Sequence, residues 1–253
     1  MASVRLSVTI ITLNEARNIE RCVRSVRDVA DEVLVVDSFS TDATKAICAR
    51  LGVRFLEHSF DGHIEQKQWA VEQATHDHIL ALDADEALSP ELVAAVAAAK
   101  ECWSHDAYRM NRLTNYCGSW IRHCGWYPDS KIRLWDRRTG RWGGNNPHDR
   151  VVMQAGASVG KLRGDLLHYS YHSIEQHVQQ IDAFTTTAAA AYAAKGRRVF
   201  PVWHFLLYPS FTFLKAYVWK FGFLDGTPGL IVCKNKAYYK LLKYVKLWQL
   251  KRR

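Results

Sequence analysis

Four short apolar runs, LSVTIIT, EVLVVD, VRFLE and HILALD, alternate with four stretches of helical periodicity across the first hundred residues. The runs are rich in β-branched residues or leucine, whereas EARNIERCVRSV, TDATKAICARL, IEQKQWAVEQA and SPELVAAVAAAK place apolar residues at helical spacing. The order βαβαβαβα predicts a mainly parallel sheet covered by helices on both faces. At 48% hydrophobic residues the chain has enough apolar material to fill such a core. Ligands of these sheets lie beyond the carboxyl ends of the strands. Here those ends carry Thr12 with Asn14 and Glu15, Asp37 with Ser38, and Asp83 with Asp85. Three strands thus bring polar or acidic groups to one edge.

The third of these ends poses a charge problem. In HILALDADE an apolar run meets Asp83, Ala84, Asp85 and Glu86. Side chains alternate along a strand, so Asp83 and Asp85 are expected on one face and Ala84 on the other. Like charges so placed need water, donors or a cation to compensate them. Carboxylate oxygens suit a hard divalent cation such as Mg2+ or Mn2+. The alternative is a solvated loop, with Glu86 and the Ser89-Pro90 pair opening the helix that follows.

From about residue 108 to 171 short alternating pieces, YRMNRLTNY, KIRLWDRR, DRVVMQ and GDLLHYSY, are separated by Gly, Pro and Asn, which predicts antiparallel strands and long loops. A helix is expected over 173–194, opened by Ser173 with Gln176 in the capping-box position and closed at Gly196. Beyond residue 194 thirteen Lys or Arg face one acid, Asp225, while the whole chain carries +9, so an acidic body bears a basic tail. That tail also holds fourteen aromatic residues. Rings mixed with basic side chains suit the interface of an anionic membrane. His204, Pro209, Lys215 and Lys220 interrupt the apolar stretch, which argues against a spanning helix. Nothing matches a nucleic-acid recognition module. The six cysteines form no C-x-x-C pair, so a reducing cytosol is the default compartment. The run LSVTIITLN meets Asn14 and Glu15 at once and reads as a first strand rather than a signal segment.

In this order, SVTIITLNEARNIERCVRSV, VLVVDSFSTDAT and LDADE resemble the family-two glycosyltransferases of GT-A fold. The further segments EQKQWA, GWYPDSKIRLW, NNPHDRV, LLHYSYHS and GFLDGTPGL are similar to the bacterial subgroup that adds a sugar, often glucose, to the lipopolysaccharide inner core. The resemblance implies a UDP-linked sugar donor, with residues 1–105 as the nucleotide-sugar half, 106–172 as the acceptor and catalytic half, and 173–253 as a helical, membrane-associating extension. Thr12, Asn14 and Glu15 would line the uridine pocket, Asp37 would meet the base, and Lys67 would lie nearby. Asp83, Ala84 and Asp85 look like the DxD motif, which holds Mg2+ or Mn2+ against a diphosphate, and His168 resembles the histidine that completes the metal shell. Asp149 matches the family's catalytic acid, where relatives often carry Glu, and His148 would orient it. Inverting transfer needs such a base, together with stabilisation of the departing diphosphate.

Arg112 and Arg133, with Trp126 and Tyr127, are suited to an anionic saccharide through guanidinium contacts and ring stacking. The resemblance implies a phosphorylated, Kdo- and heptose-bearing lipid acceptor, and a protein peripheral on the cytoplasmic face of the bacterial inner membrane. A transferase acting on polyprenyl phosphate or a capsule intermediate would share the same logic. Sugar nucleotidyltransferases need a glycine-rich, Arg-containing loop where this chain has TLNEARN. A membrane-associated scaffold would bind nucleotide without turnover.

Overall fold

The computed structural model describes residues 3–145 and 148–252, which fall into two compact units, Met1–Arg112 with Asp129–Tyr169 and Leu113–Pro128 with Ser170–Arg253. In the first, strands β1 (Leu6–Thr12), β2 (Glu32–Asp37), β3 (Arg54–Glu57) and β4 (His78–Asp83) alternate with helices α1 (Ile19–Val26), α2 (Thr44–Leu51) and α3 (His63–Gln73). The short β5 (Glu86–Leu88) and helix α4 (Pro90–Glu101) follow. Strands β6 (Ala107–Tyr116), β7 (Ser119–Ile121), β8 (Asp129–Asp136) and β11 (Val159–Tyr171) complete the main sheet, and β9 (Gly140–Asn145) with β10 (His148–Met153) forms a separate antiparallel ribbon. The unit boundaries fall inside β6 and close to the end of β11.

The sheet runs β3-β2-β1-β4-β8-β6-β11-β5. Its first four strands are parallel, as the alternation of strand and helix predicts, and it continues through antiparallel pairs β4/β8, β8/β6 and β11/β5. Central β1 is buried almost throughout, as expected of a strand covered on both faces. Leu6, Val8 and Ile10 pack with Ile19, Cys22, Val23 and Val26 of α1 and with Leu92 and Val96 of α4. Ser89 caps α4 by accepting the Leu92 amide at 3.3 Å, and Pro90 takes the first helical position.

Two local expectations change. Helix α1 begins at Ile19 rather than at Glu15, because side chains of the β2–α2 loop and the first residue of α2 take the amides before it. Ser40 Oγ accepts from Asn14 N, Thr44 Oγ1 from Glu15 N and Asp42 from Ala16 N. Asn14 itself sits at φ +55°, a conformation Asn tolerates better than most residues. Strand continuity also ends at Asp83. Ala84 N donates to Ile11 O and Asp83 N to the Glu86 carboxylate, so Ala84 and Asp85 form a tight turn into β5. The two-residue alternation that would align Asp83 with Asp85 therefore does not extend across the motif.

In the second unit, Ser173 caps α5 (Ile174–Ala194) by accepting the Gln176 amide, and Gly196 ends it at φ +65°. A helical stretch over 201–219 combines α6 (Tyr208–Leu214) with wider π-helical turns on either side. Phe221, at φ +51°, breaks it ahead of α7 (Gly226–Leu250), which packs along α5. Residues 113–128 join these helices instead of following chain order, because Tyr116, Ile121 and Cys124 share an apolar cluster with Ala216, Val232 and Cys233. Asp225, whose side chain is 5% exposed, fixes the junction by accepting from the amides of Arg122 and His123 and from the His123 ring. Among the described residues, no helix is long and apolar enough to cross a membrane.

Candidate active site

Helix α3 organises the first unit's polar edge through three consecutive side chains. Successive helical residues point about 100° apart, so Gln66, Lys67 and Gln68 reach different elements. Gln66 donates to Ser38 Oγ at the end of β2, and Gln68 accepts the Trp142 amide of β9 at 3.0 Å. Between them Lys67, 5% exposed, places its ammonium 2.8 Å from Asp83 and 2.8 Å from Asp149. It also lies 4.9 Å from the centre of the Trp142 ring. One buried cation thus joins the strand-end acid to the carboxylate of β10.

Around it lies a wider ionic network. Arg133 of β8, 4% exposed, meets Asp83 at 3.0 Å and the buried Glu86 at 2.9 Å. Arg112 reaches Glu86 at 3.5 Å and Asp129 at 2.8 Å. Burial would raise the Asp83 pKa, but the charges of Lys67 and Arg133 outweigh it and hold the carboxyl well below its usual range. Asp149 follows the same pattern: burial pushes its pKa up, Lys67 pulls it down, and the net direction is downward. Both acids are therefore ionised at neutral pH. A cavity of about 850 Å³ opens on this network, lined by Lys67, Asp83, Arg112, Arg133, Trp142 and Asp149 among others. Among the described residues Arg133 Nε and Nη1 have no hydrogen-bond partner, which leaves buried donors at the wall of that cavity.

Asp85 takes a different path from Asp83. Its carboxylate lies 3.2 Å from His168 Nε2, and the turn is held by Tyr169 N donating to Asp85 O at 2.8 Å. Strand β11 pairs His168 opposite Glu86, which brings the imidazole beside the turn. Glu15 stands in the same field: burial raises its pKa, its bond from Asn18 opposes this, and the charges of Asp85, Asp42 and Asp83 raise it further. No three His, Cys, Asp or Glu side chains among the described residues form a ready metal cage. Asp85 and His168 nevertheless fit a divalent cation that takes its remaining ligands from diphosphate and water, as Mg2+ commonly does. Asp83, expected as a second carboxylate ligand, is engaged here by Lys67 and Arg133.

The remaining donor-side residues gather at the ends of β1 and β2. Thr12 Oγ1 is buried without a partner among the described residues. Asn14 Oδ1 accepts the Thr41 amide at 2.8 Å and so ties the two strand-end loops together. Asp37 is fully buried, and its two oxygens accept from the amide and hydroxyl of Ser40, so in this arrangement it shapes the loop. Ala84 is 3% exposed at the turn. The His148 side chain and residues 146–147 lie outside what is described. Of the acceptor candidates, Arg112 and Arg133 line the cavity of the first unit. Trp126 and Tyr127 belong to the second unit: Trp126 stacks on Tyr171 at 5.9 Å between ring centres, and Tyr127 lies under the Arg122 guanidinium at 5.8 Å.

Sequence reasoning passed over Glu86 and Trp142 as parts of this site. A charged residue flanked by apolar ones in KIRLW was the available signal, since a buried Arg133 requires a buried acid nearby.

Residues 7–162 match the model of Glycosyl transferase family 2. A glycosyltransferase of Rickettsia typhi is 30% identical over 97% of this chain and 87% of its own length. The lipopolysaccharide core biosynthesis glycosyltransferase LpsC of Rhizobium meliloti is 29% identical over 96% of this chain and 92% of its own. Among solved structures, S. aureus TarS aligns with a TM-score of 0.48 at 15% identity, covering 73% of this chain and 39% of TarS. The chain belongs to glycosyltransferase family 2. It is a glycosyltransferase, and the sheet and its flanking helices have the GT-A arrangement.

Proposed function

We propose that the protein transfers glucose with inversion from UDP-glucose to a heptose of the lipopolysaccharide inner core. The carrying observation is the single buried lysine that joins Asp83 of the DADE turn to Asp149 at the wall of one cavity. The acceptor class rests on the likeness to LpsC along nearly the whole chain.

The residues divide the work in a chemically consistent way. Thr12, Asn14 and Glu15 receive the nucleotide at the strand ends, where Asn14 holds the loops in register. Asp85 and His168 hold Mg2+ or Mn2+, which when bound offsets the charge growing on the diphosphate. Asp149 takes the proton of the acceptor hydroxyl as that oxygen bonds to the anomeric carbon, and the bond to diphosphate breaks with its electron pair on the leaving group. Lys67 lowers the Asp149 pKa against the effect of burial and restrains the carboxylate until the acceptor displaces the contact. Arg112 and the spare donors of Arg133 suit phosphate or carboxylate groups of the acceptor. The same reading places the enzyme at the cytoplasmic face of the inner membrane, held at the surface by its basic aromatic tail.

The test begins with UDP binding measured calorimetrically with Mn2+, with Mg2+ and with chelator. Metal should strengthen binding, and Asp85→Ala or His168→Ala should abolish that gain. Labelled UDP-glucose is then offered with delipidated core acceptor or with polyprenyl phosphate. Label on the polyprenol alone rejects the acceptor, and metal-independent binding with full transfer in chelator rejects the metal.

A further inference from the structure

The second unit contains a cavity of about 310 Å³ that no step above uses. Four lysines line it, Lys215, Lys220, Lys236 and Lys240, and no acidic residue does. Lysines repel one another, so four around one small cavity are favourable only with a compensating anion or full solvation. Solvation is restricted at Lys236, which is half-buried and donates to Cys124 O at 2.8 Å. Burial lowers its pKa, Cys124 and Cys233 oppose this, and the charges of Lys240 and Lys220 add to the net downward shift. Gly125, held at φ +71°, lines the same cavity between the Lys220 and Lys236 side chains.

The surroundings indicate where such an anion comes from. Tyr208, Phe211 and Thr212 of α6 complete the wall. Phe211 is also 47% exposed, within a stretch where Phe200, Trp203, Leu206, Trp219 and Leu224 are exposed large apolar residues. Single exposed apolar residues are ordinary, but a run of this density marks a partner surface. Helices that lie in a membrane interface pair such an apolar face with basic residues.

We infer that the lysine cavity binds the phosphate of a membrane lipid whose acyl chains lie against the exposed apolar residues of 200–224. The inference rests on the membrane-surface reading and adds a specific phosphate site to it.

Full-length protein is floated with phosphatidylcholine vesicles carrying either phosphatidylglycerol or, at equal surface charge, oleate. Diffuse attraction accounts for about fivefold in affinity per lysine wherever it stands near the surface. Lys236→Gln with Lys240→Gln should lose at least tenfold more affinity for phosphatidylglycerol vesicles than the control pair Lys195→Gln with Lys251→Gln. On oleate vesicles the two pairs should fall equally. Lys215→Gln with Lys240→Gln keeps the Lys236 bond and should behave like the first pair, which covers a folding defect in that one. Equal losses for pocket and control pairs on phosphatidylglycerol overturn the phosphate site while sparing the membrane reading. Failure of the unaltered protein to bind any vesicle overturns both. Vesicle binding needs neither donor nor acceptor, so its outcome stands apart from that of the transfer assay.

Discussion

Replacing Lys67 with Met tests how the site is held together. The lysine is 5% exposed and pairs with Asp83 and Asp149, which are 26% and 16% exposed. Removing one partner of a fully buried ion pair costs about 3–5 kcal/mol, because the other charge is left unpaired in a poorly solvated place. Here Arg133 remains on Asp83, and both acids retain some water, so the expected loss is about 2–4 kcal/mol. Most of it belongs to Asp149. Adding Asp149→Asn should therefore restore about 1–2 kcal/mol, a coupling that urea unfolding of the four proteins in the cycle would measure at pH 7. The pH dependence has a defined sign. Both carboxyls titrate below their ordinary values in the fold, so their contribution is complete above the unfolded pKa near 3.9 and is lost as pH falls through the folded values. The gap between wild type and Lys67→Met should thus narrow in acid. A single-variant loss below about 1 kcal/mol, or a double variant no more stable than the single, would refute the bridge as a structural tie.

Asp149→Asn should leave UDP affinity in the presence of Mn2+ nearly unchanged while lowering turnover at least about a hundredfold, as expected for loss of a general base; wild-type turnover removes Asp149 from that role. His177, buried beside Tyr116, is lowered by burial to a pKa of about 4. Its unfolded form takes a proton below about pH 6.5 while the folded form does not, so stability should fall as pH drops from there, and His177→Gln should flatten that slope in denaturant titrations between about pH 6.5 and 5. Gly164→Ala should destabilise by about 1–3 kcal/mol, since Gly164 sits at φ +89° and a methyl group there would come within 2.4 Å of Leu92 N; an unchanged melting temperature would contradict that packing.

Much of this fold was legible because local pattern and global layout agree. LSVTIIT, EVLVVD and HILALD occupy their strands to the residue, and Ser89, Pro90, Ser173 and Gly196 punctuate helices as their chemistry dictates. The gathering of acids at one edge followed from strand direction alone. Partner choice did not. Asp83 turns to Lys67 and Arg133 while Asp85 turns to His168, because the Glu86 carboxylate takes the Asp83 amide and the chain turns into β5 between them, and no two-residue period records such a side-chain bond. Gln68 likewise looks like an ordinary surface amide in sequence, yet it fastens the Trp142 backbone across 74 positions. Glu86 reads in sequence as an acid opening the next helix, because β5 is only three residues long, too short to announce itself through periodicity.

Strand β5 also limits how this enzyme can diversify. It holds β11 through three pairs, Leu166 to Leu88, Leu167 to Ala87 and His168 to Glu86. Inserting or deleting one residue upstream in β11 would move every side chain to the opposite face of the sheet, carrying the imidazole away from Asp85 and burying its neighbour instead. Length changes between Gly164 and His168 are therefore closed to drift, because they would part the imidazole from its carboxylate.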